Sequence, residues 1–235
     1  MDKIEVKILG HNLSGFPLFL AKLTQRGHQI SSMKDVEELY NECIAKTPSE
    51  RLIKLPHTTI QRMCFVTVAI TGLSTKALTQ LRTHAKRATC ISTSTQYSSY
   101  EGRDDNFVIP PGLTEMQQNK MKAAYWAIQG WYTNLIKDEK TDKDLAGYIL
   151  PQGLRKAFIM HASIDDWNYI LRTRLCHRNT KEVQHICKLI YKAIRDISPV
   201  WVVNALPACA NGNCPEGNFC CGNKFTEGEI DGTTN

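Results

Sequence analysis

Between Gly72 and Tyr100 the chain reads GLSTKALTQLRTHAKRATCISTSTQYSSY, which crowds cations, hydroxyls and amide side chains into one stretch. Thr79, Arg82 and Lys86 fall on one stripe of a helix, with His84 and Arg87 near its margin. Ala77, Leu78, Leu81, Ala85 and Ala88 fall on another, the side expected to face a core. Ser74 stands where its hydroxyl can accept from an unpaired backbone N–H and cap that helix. Past Cys90, the run ISTSTQYSSY is too rich in β-branched and hydroxyl residues to extend a helix. Cations beside hydroxyls and amides supply several donors at once, which suits a phosphate or another anion. Read alone, the same residues also describe a solvated basic helix face followed by a polar loop.

The elements that must hold this stretch are legible on both sides of it. Lys3 to Leu9 alternates apolar and charged residues as a strand does, and Met63 to Thr71 is a β-branched run ended by Gly72. Pro17 to Arg26 and Met33 to Ala45 read as helices. Asn106 to Leu113 is extended around its proline pair. A long helix starts at Thr114, capped by a Thr-x-x-Gln pattern with Gln117. Its apolar stripe is Met121, Ala124, Tyr125, Ile128, Tyr132 and Leu135, and a charged turn follows from Lys137 to Lys143. Lys156 to Ala162 alternates as a strand and Ile164 to Arg172 as a helix. Asn179 with Glu182 forms a capping-box pattern for a helix that runs to Ile197 and is stopped by Ser198 and Pro199. This order of strands and helices, in 235 residues with 42% apolar content, predicts one α+β domain.

A formal charge of +6 favours anionic partners, and nucleotides satisfy that as well as nucleic acid does. The basic residues are spread along the chain with no arm or low-complexity tract, so a nucleic-acid partner is not expected. No apolar run reaches the length of a membrane span and the N-terminus lacks a signal-peptide core, which predicts a cytoplasmic protein.

Gly72, Ser74, Gln80, Leu81, His84, Ser94 and Tyr97 together resemble the signature of the flavin-dependent thymidylate synthases. The arginine-histidine-arginine triplet of that signature becomes Thr83, His84 and Ala85 when counted from the helix. Counted from the serine it becomes His84, Ala85 and Lys86, and the arginine before the tyrosine is Gln96. Further segments are similar to the family in order. His57 and Thr59 open the stretch before the core strand, where a later glutamate-histidine pair is Arg62 and Met63. FVIPP follows the signature. In LPQGLRKAFIMHASIDDW an asparagine-alanine-arginine run becomes Ser163, Ile164 and Asp165, and TRLCHRNTKEVQHI keeps Arg174, Cys176, Arg178 and Glu182. The tail NALPACANGNCPEGNFCCG resembles an ending seen in many bacterial members.

The resemblance implies a curved, mainly antiparallel sheet flanked by helices over residues 1–222, with a polar tail at 223–235. It implies FAD as cofactor, NADPH and methylenetetrahydrofolate as co-substrates, and a homotetramer whose sites are shared between subunits. It implies C5 methylation of a pyrimidine nucleotide, dUMP to dTMP, without a cysteine nucleophile. Candidates for flavin contacts are His57, Arg82, His84, Lys86, Arg174, His177 and Arg178. Candidates around the nucleotide are Gln80, Arg87, Ser94, Gln96, Tyr97, Arg155 and Asp165. A phosphate that loses one arginine fork loses about 1.5–3 kcal/mol, about ten- to a hundredfold in affinity. Arg82, Lys86, Arg87, Arg155 and Lys156 are the cations placed to compensate. Asp165, a carboxylate at an arginine position, would repel a phosphate nearby.

Other readings follow from the same departures: a methyl or hydroxymethyl transferase acting on dCMP or UMP, or an inactive paralogue serving as a binding subunit. Each candidate also has an ordinary role, His84 as a solvated side chain, Ser94 as a turn cap, Arg174 and Arg178 as partners of Asp165, Asp166 and Glu182. Cys209, Cys214, Cys220 and Cys221 could approach a tetrahedral zinc set, but their spacing lacks the paired short loops of zinc ribbons, and no metal is expected.

Overall fold

The computed structural model describes residues 4–53, 58–83, 87–102 and 105–232. The charge-apolar alternation at the start forms β1 (Glu5–His11), followed by α1 (Phe16–Gln25) and α2 (Met33–Cys43). Two short helices, α3 (Glu50–Ile53) and α4 (Thr59–Met63), lead into β2 (Phe65–Ser74), α5 (Thr75–Thr83) and β3 (Thr89–Ser92). Then come α6 (Glu115–Lys137), the short α7 (Lys143–Ala146), β4 (Arg155–Ser163), α8 (Ile164–Arg174) and α9 (Lys181–Ile197). Two further turns of helix are α10 (Ala208–Asn211) and α11 (Gly228–Asp231).

The strands form one antiparallel sheet in the order β1-β2-β4-β3. Met160 of β4 lies between Val68 of β2 and Cys90 of β3. Val66, Val68 and Ile70 alternate with Phe158, Met160 and Ala162 on one buried face, as the period of two requires. Two helices pack against that face. α9 supplies Val183, Ile186, Ile190 and Ile194, a stripe at helical spacing that Ile197 continues part-buried, and α8 supplies Trp167, Ile170 and Leu171. The Trp167 indole N–H donates to the Val66 carbonyl at 3.0 Å and fixes α8 on β2. On the other face the cross-strand neighbours Ile91 and Ile159 are exposed.

Several local expectations change. β2 does not stop at Gly72: that residue takes φ +79° in a bulge between Thr71 and Leu73, and the strand continues to Ser74. Glycine bends the strand there rather than ending it. The polar run expected past Cys90 opens inside a strand, since residues 89–92 pair with β4. The capping box of α6 is present, with Thr114 and Gln117 bonded reciprocally at 2.9 and 3.3 Å. Of the α6 stripe only Tyr132 is fully buried, because α6 rests on Tyr100, Ala146 and Leu154 and not on the sheet. Beyond residue 222, where a polar tail was expected, Phe225 and Ile230 are buried in the core and α11 lies on α9. No helix among the described residues is long and apolar enough to cross a membrane.

Candidate functional site

α5 is held at both ends by the corner between α8 and α9. At its start, the buried Glu182 carboxylate accepts the Ser74 N–H and the Ser74 hydroxyl, each at 2.7 Å. The same Ser74 oxygen accepts the Ala77 N–H at 3.0 Å, so the expected N-cap is present and is itself anchored. At the other end, Arg174 donates from Nη2 to the Gln80 carbonyl and from Nη1 to Asn179 at 2.9 Å. Thr180 donates to the Gln80 side-chain oxygen at 3.0 Å. An acid at the helix N-terminus and a cation at its last free carbonyls both follow the helix dipole.

Arg174 is 8% exposed, has no carboxylate partner among the described residues, and its Nε–H is buried without an acceptor. Burial depresses its pKa from the ordinary guanidinium value. The acids named above as its partners are engaged elsewhere: Glu182 on Ser74, Asp165 and Asp166 on other arginines. Arg174 is thus a buried cation held by neutral acceptors, with its Nε–H left without a partner. The expected Asn179–Glu182 capping box is not formed, because Glu182 is committed to Ser74. Asn179 accepts from Arg174 and donates to the Thr173 and Cys176 carbonyls, while Thr180 takes the N-cap position of α9.

A second group forms around Ser94, whose hydroxyl accepts the Gln96 and Tyr97 N–H groups at 2.9 and 3.2 Å. Its carbonyl accepts the Tyr100 hydroxyl, which in turn accepts from the buried Lys156 at 2.9 Å. Lys156, considered above as a compensating cation, is thus committed to bracing this turn. Gly147 packs close behind it, since a Cβ there would lie 3.3 Å from the Thr95 carbonyl. Gln96 and Tyr97 face solvent, and Tyr148, next in sequence to Gly147, is exposed as well. Among the described residues, no hydrogen bond or ion pair joins the Ser94 group to the Gln80–Arg174 group.

The other candidates are dispersed. Arg155 donates to the Gly72, Asp105 and Phe107 carbonyls at 3.0, 2.9 and 3.2 Å. His177 meets Glu229 at 3.2 Å, and Arg178 meets Glu216 at 3.5 Å and covers the Phe219 ring, so both are engaged with the C-terminal segment. Arg82 is exposed. His57, His84 and Lys86 lie outside the described residues. Among the described residues no group of three or more His, Cys, Asp or Glu is placed to hold a metal ion.

Residues 18–200 match the family model described as Thymidylate synthase complementing protein. The chain belongs to that family. It is 25% identical over 175 residues to a flavin-dependent thymidylate synthase of Geobacter sulfurreducens, covering 74% of this chain and 75% of that one. It is also 25% identical over 174 residues to the enzyme of the same name from Clostridium tetani, covering 66% and 68%. In fold it is similar to the Helicobacter pylori thymidylate synthase ThyX solved with FAD and dUMP (TM-score 0.62, 18% identity, covering 86% of this chain and 99% of that one). It is also similar to PolB, a UMP/dUMP methylase of Streptomyces cacaoi bound with 5-Br dUMP (TM-score 0.64, 14% identity, covering 86% and 93%). Members of the family are enzymes, and this chain is a divergent one.

Family membership gives the Asp165 departure a local explanation. The position where the family resemblance expects a glutamate is Arg62, and the position where it expects an arginine is Asp165. In this chain the two side chains meet, with Arg62 Nε donating to Asp165 at 3.1 Å. Arg87 lies 3.7 Å from both Asp165 and Asp166. Asp165 is accordingly neutralised within the chain, and the repulsion expected of it toward a phosphate is offset by two arginines. Sequence reasoning did not find the Glu182–Ser74 anchor or the Lys156–Tyr100 brace, since both depend on partners far away in the chain.

Proposed function

We propose that the protein methylates C5 of a pyrimidine deoxynucleotide, converting dUMP to dTMP with methylenetetrahydrofolate, FAD and NADPH. The observation that carries this reading is Arg174: a buried guanidinium without a carboxylate, fixed on Gln80, with an unspent donor. That donor set fits an anionic group, whether the nucleotide phosphate or the diphosphate of FAD. FAD, when bound, supplies the hydride that completes the methyl group. Arg174 binds and neutralises the anion. Gln80, its carbonyl and amide oxygen already held by Arg174 and Thr180, is kept from swinging away. Ser94, with Gln96 and Tyr97 folded around it, presents a preformed turn to the ligand.

Because no hydrogen bond or ion pair joins the Ser94 and Arg174 groups among the described residues, we read each active site as assembled from two protomers of a homotetramer in the cytoplasm. The exposed Ile91–Ile159 pair and the exposed Tyr97 and Tyr148 support burial against another copy. A second reading, action on UMP, is favoured by the similarity to PolB and by the replaced signature arginines.

The test is turnover with dUMP, UMP and dCMP in parallel, followed by complementation between Ser94→Ala and Arg174→Gln. Each variant alone should be nearly inactive, and the mixed, reassembled oligomer should regain activity through sites that receive both intact residues. Turnover on UMP alone would install the second reading. No turnover on any of the three would leave a binding subunit. Failure of the mixture to regain activity would place both groups in one chain's site.

A further inference from the structure

A cavity of about 930 Å³ lies between α6, the Gly72 bulge, the start of β4 and residues 105–109, within the roughly 300–1,000 Å³ range of ligand pockets. It lies apart from the groups above: neither Gln80, Ser94 nor Arg174 lines it. We propose that it is a second binding site, for a planar aromatic molecule carrying a negative charge.

Three features of the walls carry this. The first is the Arg155 guanidinium, held by the Gly72, Asp105 and Phe107 carbonyls, which fix its plane without neutralising it. Among the described residues it forms no ion pair, so its charge stays available to a ligand and its geometry costs little to organise. The second is an aromatic wall. Phe107 and Tyr125 stack with centroids 4.6 Å apart, and Trp126 beside them is 67% exposed. Tyr125 cannot retreat, because its hydroxyl fills the space a Cβ would take at Gly153, 2.1 Å away. An indole held half in water at a cavity mouth is ready to cover a flat ring.

The third feature is charge. Among the described lining residues, Lys122 and Lys137 on α6 join Arg155 against Asp105 and Asp138, three cations to two acids, net positive by one. Lys137 already lies 3.7 Å from Glu101, which leaves Lys122 and Arg155, at the aromatic end, as the cations facing a ligand. Charge and ring face thus coincide at one end of the cavity.

Gly130 of α6 gives a direct way to close the site. It lines the cavity, and a Cβ there meets nothing within 4 Å, so a larger side chain fits at the cavity wall without disturbing the helix. The probe is anilinonaphthalene sulfonate, a planar aromatic monoanion whose fluorescence rises on leaving water. The native protein should bind it saturably at one site per chain, unaffected by saturating dUMP. Gly130→Leu should weaken binding about tenfold or more, and Lys122→Glu about fivefold. Trp126→Ala, an exposed position tolerant of truncation, should also weaken it and serves if Gly130→Leu fails to fold. Unchanged binding in Gly130→Leu or Trp126→Ala would overturn the proposal. So would displacement by dUMP, or no saturable binding because another copy of the chain fills the cavity.

Discussion

Replacing Glu182 probes the anchor of α5 more sharply than any other substitution. Its carboxylate is 7% exposed and receives two donors from Ser74 at 2.7 Å each. Glu182→Gln keeps the volume and one oxygen but removes the charge and turns an N–H donor toward a donor pair. One charge-assisted hydrogen bond lost in a buried setting is worth about 1.5–3 kcal/mol. Loss of the anion from the start of α5 adds about 0.3–1 kcal/mol. The expected cost is about 2–4 kcal/mol, and about 3–5 kcal/mol for Glu182→Ala, which also strands the Ser74 N–H. Urea unfolding followed by circular dichroism at fixed protein concentration reads this directly. With a slope of about 2–3 kcal/mol per molar, the midpoint should fall by roughly 1 M. In a double-mutant cycle with Ser74→Ala the two changes should couple by about 1 kcal/mol or more. A Glu182→Gln protein within about 0.5 kcal/mol of the parent, or additive singles, would refute the anchor.

Other outcomes follow from the same structure. Gly15→Ala should destabilise the α1–α2 layer and release Phe19 and Leu39 to solvent. A Cβ at Gly15 would sit 1.7 Å from the Cys43 carbonyl oxygen, which belongs to the backbone and cannot swing aside; tryptic cleavage in residues 16–43 should quicken. The Glu42 carboxyl is held down to about 2, first by its hydrogen bond from Lys22, with Lys46 and Arg26 also near. A depressed acid contributes stability above its unfolded pKa and loses it as pH falls through the folded one. The α1–α2 contact should therefore loosen between about pH 4.5 and about 2, measured as amide exchange in α2, and Glu42→Gln should remove that dependence. Burial pushes the Cys64 and Cys187 thiols up to about 12. Those two should stay unlabelled by a thiol reagent at pH 8 while the exposed Cys220 and Cys221 react first; early loss of Cys187 would contradict the packing of α9.

Long periodic segments were readable because their signal is local. The α9 stripe, the Thr114–Gln117 cap and the strands around Val68 and Met160 each declare themselves within a few residues. β3 did not, since four residues rich in hydroxyls become a strand only where β4 offers an open edge. Glu182 shows the same limit at the candidate site. Its spacing from Asn179 satisfies a local capping pattern, yet its carboxylate is drawn to Ser74, 108 residues away. Arg174 was visible as a family residue, but only the structure separates it from the acids nearby and leaves it without a counter-charge among the described residues. Asp165 read as a loss until Arg62 appeared against it.

Calorimetric titration of dUMP, UMP and dCMP into the parent, Arg174→Lys and Arg174→Gln proteins tests the central claim most directly. The parent should bind at least one of the three, and removal of the guanidinium fork should weaken that binding about ten- to a hundredfold, less in Lys than in Gln. Equal affinity in all three proteins, with their fold intact, would mean that the buried arginine serves the structure and not the nucleotide.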